Sequence, residues 1–160
     1  MRSQAEPRTE NFRYIIENFP IMADNQIKQL LGGSRILGAT KDLSHLAEEG
    51  LPKQALIIFM QKVNLDERRL FSYLDVTRRT IDNYKPHERL RLYISDRLIH
   101  LAELYVKGKE IFDSFENFQE WMSRPSIDLS GAQPIDRIQT RKGIDDLLQV
   151  LGRIEHGILT

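Results

Sequence analysis

The chain contains no cysteine among its 160 residues, and this absence excludes disulfide bonds, thiolate catalysis and cysteine-based zinc sites. Such a composition is compatible with a reducing compartment. No run of about 18 apolar residues occurs, and the opening stretch MRSQAEPRTENF lacks the apolar core of a signal peptide. The sequence therefore predicts a cytoplasmic protein with no membrane anchor.

The chain also lacks net charge, because 23 lysines and arginines balance 23 aspartates and glutamates. That balance excludes a global attraction to nucleic acid, so any contact with DNA has to come from a local patch. Glycine and proline are scarce, with nine and six copies, and almost no segment alternates polar and apolar residues over the length of a strand. The patterns that remain have a helical period, which predicts an all-α protein.

Turn residues divide the chain into successive helices. Gly32 and Gly33 are expected to end a first helix, and Pro52 to lie in the first turn of a buried one. A longer helix is predicted to begin at Ser95, where Asp96 in the first turn would complement the helix dipole.

A proline- and glycine-containing segment precedes the last predicted helix. Pro125, Gly131 and Pro134 separate a short helix that contains Trp121 from a terminal helix capped by Thr140. One glycine is too few for a phosphate-binding loop, so the segment is interpreted as a rigid bracket that orients the terminal helix. The terminal helix has one apolar stripe, formed by Ile144, Leu147, Leu148, Leu151 and Ile154.

The strongest local motif is RRLFSYLDVTRRTIDNY, whose spacing fits a helix-turn-helix. Asp66 and Thr77 are the expected N-caps of its two helices. Between residues 66 and 92, seven basic side chains outnumber five acidic ones. A helix corner without a DNA role stays open, because Asp75 stands where glycine usually makes the turn and Phe71 where a small residue usually lets the helices approach.

Nothing in the sequence predicts a catalytic, cofactor or metal site. The adjacent carboxylates Asp145 and Asp146 point about 100° apart on a helix, so a role with the helix dipole is the simpler interpretation. No serine or threonine has a visible base partner. The histidines have no metal-ligand spacing and are interpreted as surface or helix-packing residues: His45, His87, His100 and His156.

An ordered set of motifs extends over about residues 50–160, namely GLPKQAL, DVTRRTIDNY, SDRLIHLAELYVKGKEIF and KGIDDLLQVLGRIEHGI. The most specific positions lie in the C-terminal half, at Trp121, Pro125, Leu129, Gly131, Pro134, Ile135, Thr140, Gly143, Leu151, Arg153, Ile154 and Gly157. In these motifs and their order the chain resembles the Xre/MbcA/ParS type of antitoxin from toxin-antitoxin systems.

The chain is predicted to consist of three segments, of which the resemblance covers the last two. Residues 1–49 would form an N-terminal arm and helical extension, residues 50–94 an Xre-like helix-turn-helix domain, and residues 95–160 a helical toxin-binding domain. The resemblance also implies an antitoxin of a type II system, without enzymatic activity or a cofactor. Such a protein neutralises a RES-domain toxin, whose chemistry degrades NAD or transfers ADP-ribose, by covering the toxin's active site with the C-terminal helix. Members generally form homodimers, and many repress their own operon.

The DNA-contact residues are expected at the start of the second helix of the helix-turn-helix, where threonine hydroxyls and arginines can reach phosphates or base edges. They are Thr77, Arg78, Arg79, Thr80, Asn83 and Lys85. Asn83 stands where the family usually has arginine.

The toxin-facing residues are expected on the terminal helix and the tail, opposite the apolar stripe. They are Arg141, Lys142, Gln149, Arg153, His156, Ile158 and Thr160. Arg153 would reach acidic or phosphate-binding parts of an NAD pocket, or would instead cap the last carbonyls of its own helix.

Two alternatives to this assignment stay open. The first is a DNA-binding transcriptional repressor with a C-terminal dimerisation domain and no toxin partner. The second keeps the toxin as partner but gives the helix-turn-helix no DNA role, so that it serves only as a platform for the homodimer.

Overall fold

The computed structural model describes residues 23–39 and 42–157. In these two ranges the chain consists of α-helices, two 3₁₀ helices and connecting turns. They contain no β-strand, apart from an isolated bridge between Pro52 and Arg89. The all-α class predicted from the sequence is therefore confirmed.

The elements follow one another closely along the chain. The first six helices are α1 (23–30), α2 (Ser34–Leu37), α3 (Leu43–Glu49), α4 (Lys53–Val63), α5 (Glu67–Leu74) and α6 (Arg78–Asp82). The remaining elements are α7 (Leu92–Phe112), α8 (Phe115–Met122), the 3₁₀ helices η1 (Ile127–Leu129) and η2 (Pro134–Gln139), and α9 (Arg141–Glu155).

The two helices of the helix-turn-helix, α5 and α6, and the terminal helix α9 each have a side-chain N-cap, as predicted. Asp66 accepts a hydrogen bond of 3.0 Å from the backbone N–H three residues later, and Thr77 accepts the equivalent bond at 3.1 Å. Thr140 does the same for α9 at 3.0 Å. Each cap satisfies an amide that has no partner within its helix, and this fixes where the helix starts.

The predicted start of the long helix was wrong by one turn. Helix α7 begins at Leu92, after an extended Arg91, so Asp96 lies beyond its first turn and has no dipole role there. Ser95 is fully buried, and its hydroxyl accepts a hydrogen bond of 2.8 Å from the Leu51 N–H. The Ser95 side chain therefore joins α7 to the backbone just before α4 and does not cap a helix.

Helix α7 forms the centre of the molecule and packs against α3, α5, α8 and α9. Tyr105, on α7, makes edge-to-face ring contacts with Phe59 of α4 and Phe118 of α8, at centroid distances of 5.6 and 5.3 Å. Because α7 continues through residues 94 and 95, the helix-turn-helix half and the C-terminal half share one core.

The segment between α8 and α9 forms the predicted bracket. The Ser126 N–H donates to the Ala132 carbonyl at 3.0 Å, and the Gly131 N–H donates to the Ser126 carbonyl at 2.8 Å, so the loop closes on itself. Ile135 and Ile138 of η2 are buried in the core. These contacts position the start of α9.

Helix α9 packs along α7 through the predicted apolar stripe. Ile144, Leu147 and Leu151 are fully buried, whereas Leu148 and Ile154 lie partly buried at the edge of the stripe. Burial of three large aliphatic side chains contributes several kcal/mol of stabilisation, on the order of 2 kcal/mol each. The inner face of α9 is therefore fixed by packing.

Candidate functional site

The six predicted DNA-contact residues lie on α6 and the turn after it, and all are exposed. This set, named the α6 surface, consists of Thr77, Arg78, Arg79, Thr80, Asn83 and Lys85. The structure thus brings them together on one exposed part of the helix-turn-helix.

The turn between α5 and α6 has helix-turn-helix geometry despite the two unusual residues. Asp75 adopts a left-handed conformation with φ of 54°, which aspartate tolerates better than most residues. Its N–H donates to carbonyls at the end of α5. Phe71 is buried with 8% of its surface exposed. Both departures from the usual pattern are therefore accommodated within the turn.

The threonine hydroxyls of the α6 surface are engaged with each other. Thr77 Oγ1 lies 2.9 Å from Thr80 Oγ1 and also accepts the Thr80 N–H. Helix α6 is only five residues long, and Ile81 is its one buried residue. The cap is therefore a main stabiliser of this short helix, and the Thr77 hydroxyl already has a structural role.

The two arginines of the α6 surface differ in their electrostatic surroundings. Arg78 lies 3.0 Å from a carboxylate oxygen of Glu67 and 3.6 Å from one of Asp82. Arg79 makes no ion pair with any residue that the structure describes. The uncompensated positive charge of α6 is therefore at Arg79.

The predicted toxin-facing residues define a second exposed surface. The α9 surface consists of Arg141, Lys142, Gln149, Arg153 and His156, all of which are exposed. Ile158 and Thr160, the other two predicted residues, lie outside the described part of the chain.

Two residues of the α9 surface are paired with neighbouring carboxylates. Arg141 forms an ion pair with Asp96 of α7. Lys142 Nζ lies 2.6 Å from a carboxylate oxygen of Asp146, and the hydrogen bond to this carboxylate raises the pKa of Lys142. These pairs hold the first turns of α9.

The other three residues of the α9 surface have no such pairing. Within the described ranges, Gln149, Arg153 and His156 form no side-chain hydrogen bond or ion pair. In particular, the Arg153 side chain makes no bond to the last carbonyls of α9 in that part of the chain. Three polar groups on the second half of α9 are thus left for a partner.

A chain of hydrogen bonds, from buried Tyr73 through buried His100 to exposed Asp145, connects the two halves of the molecule, and sequence reasoning missed it. His100 of α7 has only 9% of its surface exposed. Its Nδ1 lies 3.3 Å from the hydroxyl of Tyr73 on α5, and its Nε2 lies 2.9 Å from a carboxylate oxygen of Asp145 on α9. Because an ionised carboxylate only accepts, Nε2 donates, and in the neutral ring Nδ1 accepts from the hydroxyl.

The structure also corrects the interpretation of the adjacent carboxylates. Neither Asp145 nor Asp146 lies in the first turn of α9, so neither acts with the helix dipole there. Asp145 bonds to His100 and Asp146 to Lys142. The second pair has the i, i+4 spacing that the sequence displays, whereas 45 residues separate the members of the first.

Burial raises the pKa of the Tyr73 hydroxyl well above its ordinary value, with smaller and opposing contributions from nearby charges. Tyr73 therefore stays protonated and keeps a hydrogen that it can donate to the neutral ring of His100.

None of the described helices is both long and apolar enough to cross a membrane. In the same part of the chain, no three histidine, aspartate or glutamate side chains converge in a way that would hold a metal ion.

Comparison with protein-family models gives two matches, and each match contains one of the two surfaces. Residues 42–103 match the antitoxin Xre-like helix-turn-helix domain, which includes the α6 surface. Residues 107–157 match the antitoxin Xre/MbcA/ParS C-terminal toxin-binding domain, which includes the α9 surface. A search of curated proteins finds no match. The two domain matches, in this order on one all-α chain, show that the protein belongs to the Xre/MbcA/ParS-type antitoxins of toxin-antitoxin systems.

Proposed function

We propose that this antitoxin neutralises a RES-domain toxin, which degrades NAD or transfers ADP-ribose, by covering the toxin's active site with α9. The proposal follows the resemblance in the C-terminal motifs. It describes a stoichiometric inhibitor that has no enzymatic activity of its own and acts in the cytoplasm as a homodimer.

The observation that carries the proposal is the division of α9 into two faces. Its apolar face is buried on α7 and η2. Its outer face carries Gln149, Arg153 and His156, which have no side-chain partner in the described ranges. A surface already held in place loses less conformational freedom on binding, so more of its contact energy remains as affinity. These residues also lie inside the segment that matches a toxin-binding domain.

The Arg153 guanidinium indicates what the toxin surface would contain at the contact. An exposed arginine without a partner pairs best with a planar anion, in a bidentate hydrogen-bonded arrangement. We therefore expect a carboxylate at the rim of the toxin's active-site cleft, opposite Arg153.

The experiment that tests the proposal is co-expression with the protein encoded beside this chain's gene, which the proposal expects to have a RES domain. The antitoxin should restore growth, and the purified pair should form a complex with no NAD consumption. A neighbouring gene without a RES domain, or unimpaired NAD consumption in an equimolar mixture, would contradict the proposed partner. The role of α9 in this test is better examined with point variants of its exposed residues than with a chain truncated after Leu148. Truncation would also remove the fully buried Leu151 and so disturb the core.

We also propose that the protein represses its own operon through the α6 surface. The exposed threonines and arginines support contact with phosphates and base edges. Wild-type protein should shift DNA from upstream of its gene, and the double variant Arg78→Ala/Arg79→Ala should not. The affinity of the wild type should fall steeply as salt rises. A flat salt response, or equal and negligible binding by both proteins, would remove the repressor role.

A second candidate function keeps the toxin and omits the DNA. Two observations favour it: α6 has only five residues, and Arg78 is paired with Glu67 and Asp82. In that case the helix-turn-helix is a platform for the homodimer. The DNA-shift experiment decides between the two, and light scattering after size-exclusion chromatography tests the homodimer. A repressor without a toxin partner is disfavoured by the match to a toxin-binding domain.

A further inference from the structure

Glycines inside the described helices fall into two kinds. Gly108 of α7 and Gly143 of α9 lie where the fold has no room for a side chain. A Cβ at Gly108 would lie 2.4 Å from the ring of Phe118, and a Cβ at Gly143 would lie 1.9 Å from the carbonyl oxygen of Arg137. The packing of α8 and η2 therefore requires glycine at both positions.

Gly152 of α9 differs from these two. A Cβ at this position would meet nothing within 4 Å, and Gly152 does not have the positive φ that favours glycine elsewhere in the chain. A glycine within a helix is less favourable than alanine, because it loses more backbone freedom on folding. The fold thus carries a destabilising residue at Gly152 for which its own packing gives no reason.

The position of Gly152 places it among the unpaired residues of the α9 surface. Gln149 lies three residues before it and His156 four residues after it, so both are its neighbours on one face of the helix. Without a side chain at Gly152, the backbone of α9 is open between these two polar groups. We name this opening the Gly152 notch.

We propose that the Gly152 notch is the place of closest approach between α9 and the toxin, where a backbone segment of the toxin packs directly on the helix. The inference rests on the proposed function. It is argued from the absence of any packing role for Gly152, from its unpaired polar neighbours, and from its place in the matched toxin-binding segment. Close approach of another chain is a use for which only glycine leaves room.

A side-chain series at this position tests the proposal. Gly152→Ala and Gly152→Leu are compared with wild type by calorimetric titration against the toxin that the co-expression experiment identifies, and by thermal unfolding of the free antitoxin. Alanine should raise the Tm by about 2–4 °C, since it favours the helix. It should nevertheless raise the Kd for the toxin about tenfold, and leucine about a hundredfold, because each must overpack the contact.

The matched control is Gln61→Leu, which puts the same side chain at an exposed position of α4, outside the residues that match the toxin-binding domain. Its Kd should stay within about twofold of wild type. Three results would overturn the inference. The first is an equal Kd for the toxin with glycine, alanine and leucine at position 152. The others are a lower Tm for Gly152→Ala than for wild type, and a Gly152→Leu variant that loses the homodimer while it binds the toxin normally. Failure of the wild-type chain to bind the toxin would instead contradict the proposed function, and with it the partner named for the notch.

Discussion

The α6 surface and the α9 surface are both exposed, but different interactions hold them. Helix α6 has five residues with a single buried residue, and a threonine cap fixes its start. Helix α9 has fifteen residues, and the buried ones along its inner face pack on α7 and η2. A surface held by packing over three to four turns is more rigid than one held by a cap and a few local hydrogen bonds.

The two surfaces also differ in how their charges are used. On α6, Arg78 is compensated by two carboxylates of its own chain. On the second half of α9, Arg153 has no ion-pair partner in the described ranges. The comparison indicates that the C-terminal half is the better prepared for a protein partner, and that the proposed contact with DNA would depend on few free charges.

The largest effect is expected from removing the packing that holds α9. Gly143→Ala would place a methyl group on the Arg137 carbonyl, so the start of α9 has to move. We expect a loss of about 3 kcal/mol in the free energy of unfolding, together with loss of toxin binding. Urea denaturation measures the first effect. Gly152→Ala is the matched control in the same helix, and equal stability of both variants would contradict the packing argument.

The next largest effect is expected from breaking the link between the two halves. His100→Phe leaves the buried Tyr73 hydroxyl without an acceptor and Asp145 without a donor. We expect a loss of about 2 kcal/mol in the free energy of unfolding. The control is His45→Ala, since the His45 side chain is exposed and, within the described ranges, pairs only with Glu49 at i, i+4 spacing. If both histidine variants unfold at the same urea concentration, the chain of hydrogen bonds contributes nothing to stability.

A smaller effect is expected within the α9 surface, from a comparison of Arg153 with the paired Arg141. Arg153→Ala should raise the Kd for the toxin about tenfold without a change in Tm, because the side chain has no described partner to lose. Arg141→Ala should lower the Tm slightly, since Arg141 pairs with Asp96. Calorimetric titration and thermal unfolding separate the two outcomes. An unchanged Kd for the Arg153 variant would remove it from the interface.

The smallest effect concerns DNA and the α6 surface. Arg79→Ala should weaken operator binding about fivefold and reduce the salt dependence by about one phosphate contact. Arg78→Ala should weaken it less, because Glu67 and Asp82 already compensate that charge. Fluorescence anisotropy at several salt concentrations measures both. Should Arg78→Ala have the larger effect, the ion pairs seen in the free protein do not persist on DNA.

The parts of the fold that the sequence predicted are those with local signals. The helix-turn-helix and α9 were predicted because Asp66, Thr77 and Thr140 are caps that act within three residues. The apolar stripe of α9 was predicted because a 3.6-residue period repeats along one helix. The exposure of the predicted site residues followed from the same period.

The features that the sequence did not predict depend on contacts between distant residues. His100 is hydrogen-bonded to Tyr73, which lies 27 positions before it, and to Asp145, which lies 45 positions after it. No rule of sequence spacing connects residues that far apart. The start of α7 was misplaced because Ser95 was interpreted as the start of a helix. Ser95 is instead buried in the core, where its hydroxyl accepts a hydrogen bond from the Leu51 N–H. Helices α2 and α3 are short, with four and seven residues, too few for a clear helical period.

We propose above that the second half of the α9 surface binds the toxin. The most direct test of this proposal is the triple variant Gln149→Ala/Arg153→Ala/His156→Ala in the full chain, titrated against the RES-domain protein after circular dichroism has shown an unchanged helix content and Tm. We expect a Kd raised at least about a hundredfold and loss of growth rescue. A folded triple variant that binds and neutralises the toxin as the wild type does would contradict it.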